Sequence, residues 1–433
     1  MGLMRWLRAG FGAALLSGGG AALAQGAGAA ADSGDTAFII VAAALVLFMT
    51  LPGLALFYGG LVRSKNFLSV LMQCFAIAAL VSVLWFAGGY SLAFAGGTPW
   101  IGDLSMLGLH GLEGVRQGLS IPENVFALYQ MMFAIITPAL VIGAFPERVR
   151  FGWVMLFSAL WLLAVYIPAA HWIWGGGWMA ARGVLDFAGG IVVHTTAGIS
   201  ALVIAIMIGR RRGFPQSMIP PHSPAMTMIG AGMLWVGWFG FNGGSALAAN
   251  AAAGSALTAT HLAASAAALA WALLERIKIG KATSVGLVTG AIAGLATVTP
   301  AAGYISPLGG ILCGIVGAAV CFVAVLAIKQ RWRVDDSLDV FAVHGVGGMT
   351  GSLLLAPLAS SAFGGIGLAE GRTILDQLGV QAMGVVVVAI WSAVASYGLA
   401  RFAGLFVPMR VDAEAEHDGL DLSSHGERAY EFD

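Results

Sequence analysis

Residues 187–209 read FAGGIVVHTTAGISALVIAIMIG, and the next three positions are Arg210, Arg211 and Arg212. No Asp, Glu, Lys or Arg interrupts the stretch, whose one ionisable side chain is His194. At ~1.5 Å of rise per residue it can cross a hydrocarbon core ~30 Å thick. A spanning helix that runs at once into a basic cluster decides the class of fold. The chain belongs in a bilayer, where helices satisfy their own backbone groups.

Similar stretches recur in both directions. With their polar breaks they predict an all-α membrane protein of eleven transmembrane helices, at 37–60, 68–95, 122–146, 152–171, 187–209, 224–248, 254–274, 284–298, 306–328, 339–357 and 377–402. Composition agrees: hydrophobic residues fill 59% of 433 positions and charged residues 10%, against about a quarter charged in soluble chains. Zero formal net charge leaves no basic field for nucleic acid. The 62 glycines fit helices packed backbone to backbone. Cys74, Cys313 and Cys321 lie in apolar stretches without CxxC spacing, which argues against a disulfide framework or a zinc site.

The N-terminus has the pattern of a cleaved secretory leader over 1–24. Arg5 and Arg8 precede an apolar run of small residues, and Ala22-Leu23-Ala24 is an A-x-A site. Cleavage leaves a periplasmic N-terminus (25–36), a transmembrane domain (37–404) and a tail (405–433). Charge gives the same orientation. One set of alternate loops holds thirteen basic residues, among them Arg63, Arg148, Arg211 and Lys329, and the other holds only Arg116, Arg182 and Arg372. This positive-inside bias predicts an inner-membrane protein with its N-terminus outside and its acidic, polar tail in the cytoplasm. From composition alone the tail is either a solvated terminus or a structure that meets a partner.

Internal symmetry is visible. Phe57-Tyr58-Gly59-Gly60 ends the first helix, and Phe241-Asn242-Gly243-Gly244 lies in the sixth. Asp186 opens the fifth helix, which carries His194; Asp339 opens the tenth, which carries His344. Both correspondences are five helices apart. They predict two inverted five-helix repeats with the substrate path between them near the midplane, and an eleventh helix that braces the bundle.

Several residues are candidates for chemistry. Ionisable groups at membrane depth are costly and usually face a cavity or a partner. His194 and His344 are read either as core histidines bonded to backbone or as facing rings that share a proton along a pore. Trp174, in HWIWGGG, suits an interfacial aromatic belt or a cation site on its indole face. Tyr129 and Phe133 are one turn apart, so they share a helix face, which ordinary packing also explains. Asp186 and Asp339 are read first as helix caps that also favour positive charge at a pore entrance.

The strings PGLALFYGGLVRSKN, ERVRF, YIPAAHWIWGGG, LDFAGGIVVH, GWFGFNGGSA, VTPAAGYI, VDDSLDVFAVHGVGG and GLDLSSHGERAY resemble the ammonium transporter (Amt) family of bacteria, within the wider superfamily that includes the Rhesus proteins. The resemblance runs in order through essentially the whole mature chain. It implies an outer ammonium-recruitment site at Trp174 and Ser245, with Tyr129 where many bacterial members have phenylalanine. It further implies a stacked gate of Phe133 and Phe241, pore-lining His194, His344 and Trp238, and a structural and electrostatic role for Asp186. Homotrimers with one pore per subunit and a PII-type signalling protein docked on the cytoplasmic face are implied as well, with the tail supporting that regulation.

Desolvation gives the implied mechanism a physical basis. A bare ion in a low-dielectric lumen costs on the order of tens of kcal/mol, so a buried group usually sheds its charge. Ammonium, with methylammonium as its analogue, would be held at the mouth, lose its proton near the gate and pass as ammonia. Potassium has no proton to lose. Electroneutral and electrogenic transport both fit these residues. Competing readings are a Rhesus-like gas channel, which Trp174 and Ser245 disfavour, and an ammonium sensor that signals through its tail. A membrane enzyme is disfavoured because no nucleophile–base pair or metal set is present, and no cofactor is implied.

Overall fold

In hydrocarbon a backbone must bond to itself, and that rule orders this chain into long helices. The computed structural model describes residues 30–217 and 220–431. The leader expected over 1–24 lies outside the described residues. In chain order the helices are α1 (Ser33–Leu61), α2 (Ser64–Phe94), α3 (Glu123–Ala144), α4 (Phe151–Ala181), α5 (Gly190–Ile208), α6 (Pro224–Gly243), α7 (Ala251–Ile279), α8 (Ser284–Val298), α9 (Pro307–Trp332), α10 (Phe341–Leu358) and α11 (Ile374–Ala403). Two short tail helices follow, α12 (Ala413–Asp418) and α13 (Leu420–His425).

Among the described residues ten of these helices are long and apolar enough to cross a membrane. The exception is α8, 15 residues long, against the ~20 that a span requires. It can be short because it is enclosed. Gly290 and Gly294 let it approach α7 so closely that a Cβ at Gly294 would lie 2.5 Å from the Ala267 Cβ. The chain then continues through buried turns at Ala301 and Ala302. The sixth helix ends at Gly243 rather than 248, because the chain turns through Gly244–Ala249 with Leu247 at φ 57°.

The outward faces stay apolar: Val83, Leu269, Val323 and Val394 are all exposed. On a soluble protein such a wall would drive association, and here it matches lipid tails. Inside, α11 packs on α4 and α5 through a polar contact at depth. The Trp161 Nε1–H donates to Ser200 Oγ at 2.8 Å, and Ser396 Oγ lies 2.7 Å from the same oxygen.

The basic loops gather at one end, where they bind one another. Arg148 is fully buried. It donates to the carbonyls of Gly209 (3.0 Å), Ala144 (3.1 Å) and Asp335 (2.7 Å), and to Ser337 Oγ (2.6 Å). Burial pulls its guanidinium down to about 10, so the side chain stays charged at neutral pH. Arg211 forms a fork on the Asp335 carboxylate (2.8 Å and 3.0 Å) and reaches Glu147 (3.5 Å), which also binds Arg63 (3.2 Å). Four loops distant in sequence are thus pinned together.

The tail docks on this network. Arg410 pairs with Glu416 at 2.7 Å, and Glu416 also accepts from the Arg212 amide at 3.0 Å. Asn66, at the start of the α2 helix proper, does not cap it, because its Oδ1 accepts the Leu420 amide. Asp421 supplies the missing cap, accepting from the amides of Leu68 (3.1 Å) and Ser69 (2.8 Å). The Asp421→Ala variant should lose about 0.5–2 kcal/mol of docking, the usual worth of an N-cap. Hydrogen–deuterium exchange at Leu68, Ser69 and the tail should then rise several-fold. Unchanged exchange at these positions would refute the cap.

Candidate functional site

The amides that open a helix have no partner inside it, and at the start of α5 they meet one carboxylate. Asp186 accepts from Gly189 (3.0 Å) and Gly190 (2.6 Å) on Oδ1, and from Ile191 (2.8 Å) and Val192 (2.9 Å) on Oδ2. Gly189 turns through φ 116°, a left-handed conformation that glycine adopts without strain. The Asp186 carbonyl meanwhile accepts the Trp174 indole N–H at 2.7 Å. One residue therefore fixes both the start of α5 and the indole outside it.

The start of α10 repeats this construction with a change in cast. The capping carboxylate is Asp336, which accepts from Val340 (3.1 Å) and Phe341 (2.8 Å). Asp339 stands where Gly189 stands, in the left-handed region at φ 61°, and its side chain turns away to Lys329 Nζ at 2.6 Å. The capping role expected of Asp339 thus belongs to Asp336. A common spacing carried that signal: Asp186 precedes His194 by the same interval as Asp336 precedes His344.

Both histidines sit in π-helical turns, Gly190–Thr195 and Phe341–Gly345, and Phe241 sits in a third, Phe239–Gly243. Such turns shift side chains relative to a regular helix and gather at functional sites. Glycines let α5 and α10 touch. A Cβ on Gly348 would lie 2.6 Å from the Gly190 carbonyl and 2.6 Å from the His194 Cβ. This proximity brings His194 Nδ1 to 3.2 Å from His344 Nδ1, with ring centroids 5.2 Å apart and an interplanar angle of 23°. One nitrogen must donate and the other accept, so the neutral rings hold opposite tautomers. His194 Nε2 is buried and has no hydrogen-bond partner among the described residues.

Three cavities hold the candidate residues. At the end opposite the arginines lies a vestibule of about 330 Å³, lined by Trp174, Ser245, Phe133, Phe126, Phe187 and Gln130 among others. Arg116, the one charged residue in its wall, is bound to Glu123 at 2.5 Å and lies 4.0 Å over the Phe126 ring. Below, Phe133 and Phe241 pack with centroids 4.4 Å apart. Beneath them is a cavity of about 10 Å³ walled by Phe57, Ile136, Leu140, Trp238, Phe241 and both histidines, among others, room for about one water at most. His344 also lines an inner vestibule of about 180 Å³ with Lys329, Asp339 and Arg211.

The Ammonium Transporter Family model matches residues 37–430. The chain belongs to this family. It is 45% identical over 404 residues to an ammonium transporter of Bacillus subtilis, covering 92% of this chain and 98% of that one. An ammonium transporter of Aquifex aeolicus is 43% identical, covering 92% and 94%. Among solved structures, one described as a sensor Amt protein superposes with a TM-score of 0.85 at 28% identity, covering 90% and 98%. Saccharomyces cerevisiae Mep2 superposes at 0.80 with 36% identity, covering 89% and 88%. Family and relatives are transporters, not enzymes, and they support ammonium transport by this chain.

Trp174, Ser245 and Phe133 line the outer vestibule, and Phe241, Trp238, His194 and His344 line the small cavity. Trp238 stacks on His194 at 5.6 Å and donates its N–H to Thr299 at 2.9 Å. Tyr129 is placed differently from its expected role as a cation ligand. Its ring is buried behind Phe133, and its hydroxyl lies 2.9 Å from the Gly240 carbonyl, 3.0 Å from that of Phe241 and 3.3 Å from Ser245 Oγ. The face of α3 turned to the vestibule carries Phe126, Gln130 and Phe133, an i, i+4, i+7 stripe legible in the sequence but not singled out there. Removing the Asp186 carboxylate should be severe, since four buried amides lose their acceptor. The Asp186→Ala variant should be destabilised by about 3–5 kcal/mol, and Asp186→Asn, which keeps one oxygen, by less. Tryptophan-monitored unfolding in detergent measures this, and equal stability of all three proteins would contradict the cap.

Proposed function

We propose that this protein captures ammonium in the outer vestibule, removes one proton at the phenylalanine gate and conducts ammonia past His194 and His344. The observation that carries the reading is the 3.2 Å contact between two buried imidazoles at the floor of a cavity of about 10 Å³. A hydrated ion does not fit there, and a bare one would meet a desolvation cost on the order of tens of kcal/mol. Neutral ammonia keeps three N–H donors and a lone pair, which suit the two imidazole edges. The indole of Trp174 offers a π-face worth ~0.5–2 kcal/mol to a cation, and Ser245 adds an oxygen. Tyr129 acts through the groups it binds, steadying Ser245 and the Phe241 backbone.

When ammonium deprotonates, the N–H electron pair stays on nitrogen and the proton needs an acceptor. His194 Nε2, which has no partner, faces that need, and the Nδ1 contact offers the proton its own route to the inner vestibule. Currents on a supported membrane distinguish such net charge movement from electroneutral passage.

The wider reading follows the family. Eleven spans, with α8 counted as the short one, form two inverted repeats and a bracing α11. The matched Asp186–Gly189–His194 and Asp336–Asp339–His344 arrangements support that symmetry. The arginine-rich end lies in the cytoplasm and the vestibule of Trp174 in the periplasm of a cell with an inner membrane, after cleavage of the leader. On the lipid-side wall of α7, His261 is exposed between Trp235 and Phe239, which suits burial against another copy in a homotrimer. The docked tail suits regulation through a PII-type signalling protein. A sensor role is suggested by the name of a structural neighbour at 28% identity, whereas relatives named transporters reach 45%.

The test is uptake and current in proteoliposomes. Either His194→Ala or His344→Ala should change methylammonium flux by about tenfold or admit potassium, the scale of a lost polar contact in a dry site. Wild-type flux together with full potassium exclusion in both variants would overturn the mechanism. The Trp174→Leu variant should raise the half-saturation concentration by roughly three- to tenfold, given the cation–π contribution.

A further inference from the structure

We propose that Asp35 is a positioning residue of the outer vestibule, its carboxylate clamping together two loops that carry part of the wall. The proposal rests on the capture reading above. Asp35 lies in the first turn of α1, where a carboxylate suits the helix dipole. The capping of that turn falls to Asp32, whose Oδ1 accepts the Asp35 amide at 2.8 Å. The Asp35 carboxylate is left to reach outward, and it meets both loops. Its Oδ1 accepts the Ala249 amide at 2.7 Å, and its Oδ2 accepts from the Ser120 hydroxyl. The Asp32 amide adds a bond to the Ser120 carbonyl at 2.8 Å. Bonds to an ionised acceptor are roughly twice as strong as neutral ones.

Each loop brings vestibule residues with it. The loop that ends at Ser120 places Arg116 and Leu119 in the wall, and the turn that ends at Ala249 places Ser245 and Leu247 there. Leu247 is held at φ 57°, a conformation that residues other than glycine adopt only when surrounding contacts impose it. Before it, Ser245 Oγ donates to the Phe241 carbonyl at 2.8 Å. After it, the Ala249 amide on Asp35 gives the turn its second fixed point. On the other loop, Arg116 is tied to Glu123 of α3 at 2.5 Å, and Ser120 is tied to α1. One short side chain therefore sets the spacing between Ser245 and the loop facing it. Capture depends on that spacing. An indole face gains most from a cation that has lost its water, so a mouth held narrow binds better than one that gapes.

The expected defect is looser capture with unchanged passage. In proteoliposomes Asp35→Ala should raise the half-saturation concentration for ammonium about three- to tenfold, while the maximal rate stays within about twofold. The Asp35→Asn variant keeps both contacts, since its oxygen accepts from Ala249 and its NH2 donates to the Ser120 oxygen. It should saturate within about twofold of the wild-type concentration. Hydrogen–deuterium exchange in Asp35→Ala should rise at 116–121 and 244–250 and stay at the wild-type level in α5 and α10. Three results would each overturn the proposal. The first is wild-type half-saturation in Asp35→Ala. The second is a shift in Asp35→Asn as large as in Asp35→Ala, which would make the negative charge itself the attractant. The third is faster exchange throughout the bundle, or a variant too unstable to purify, which would make Asp35 a support of the whole fold. Parallel measurement of Trp174→Leu separates the levels. A shift in Trp174→Leu with none in Asp35→Ala removes the clamp alone, whereas no shift in Trp174→Leu removes the capture reading and the clamp with it.

Discussion

A buried carboxylate holds the start of α5 and the Trp174 indole together. Asp186 takes four amides of the α5 start on its two oxygens, and its carbonyl takes the Trp174 indole. Those amides would otherwise be orphaned in a medium that offers no water, each at a cost of about 1–3 kcal/mol. With them satisfied, α5 can begin deep within the bundle, and His194 reaches the centre. The indole that faces the entrance is positioned by the same residue. The indole and the start of α5 therefore share a common anchor, and neither can drift without straining the other.

From that anchor inward, small residues do the positioning. Lipid offers helices no hydrophobic reason to associate, so close contact depends on shape. Gly190 and Gly348 let α5 and α10 meet where larger residues would hold them apart. The π turns then direct His194, His344 and Phe241 into one narrow column. The resulting cavity is tight, about 10 Å³, with both imidazoles in its wall.

The basic residues serve twice. Their distribution is the signal from which the positive-inside rule predicts orientation, and in the folded protein Arg148 and Arg211 tie three loops together through Asp335, Glu147 and backbone carbonyls. The tail joins that network and caps α2 through Asp421. A movement of the tail would therefore be felt at the loops that carry the inner vestibule, since Arg211 belongs to both.

The amino-acid sequence determined the spans, because apolar length is a one-dimensional property; the grouping of the basic loops, because charge is too; and the two deep histidines, because ionisable residues are rare in such segments. It also carried the spacing that makes Asp336 the counterpart of Asp186. Only the tertiary structure decided which way each helix turns its side chains. Tyr129, not Gln130, looked like the vestibule residue, and Asp339, not Asp336, looked like the cap. A helix that is apolar all round has no amphipathic stripe to fix its rotation, and π turns shift the register further. Which aromatic faces the cargo, and that a residue from the tail caps the second helix, depend on contacts between segments far apart in the chain, and no local pattern encodes them.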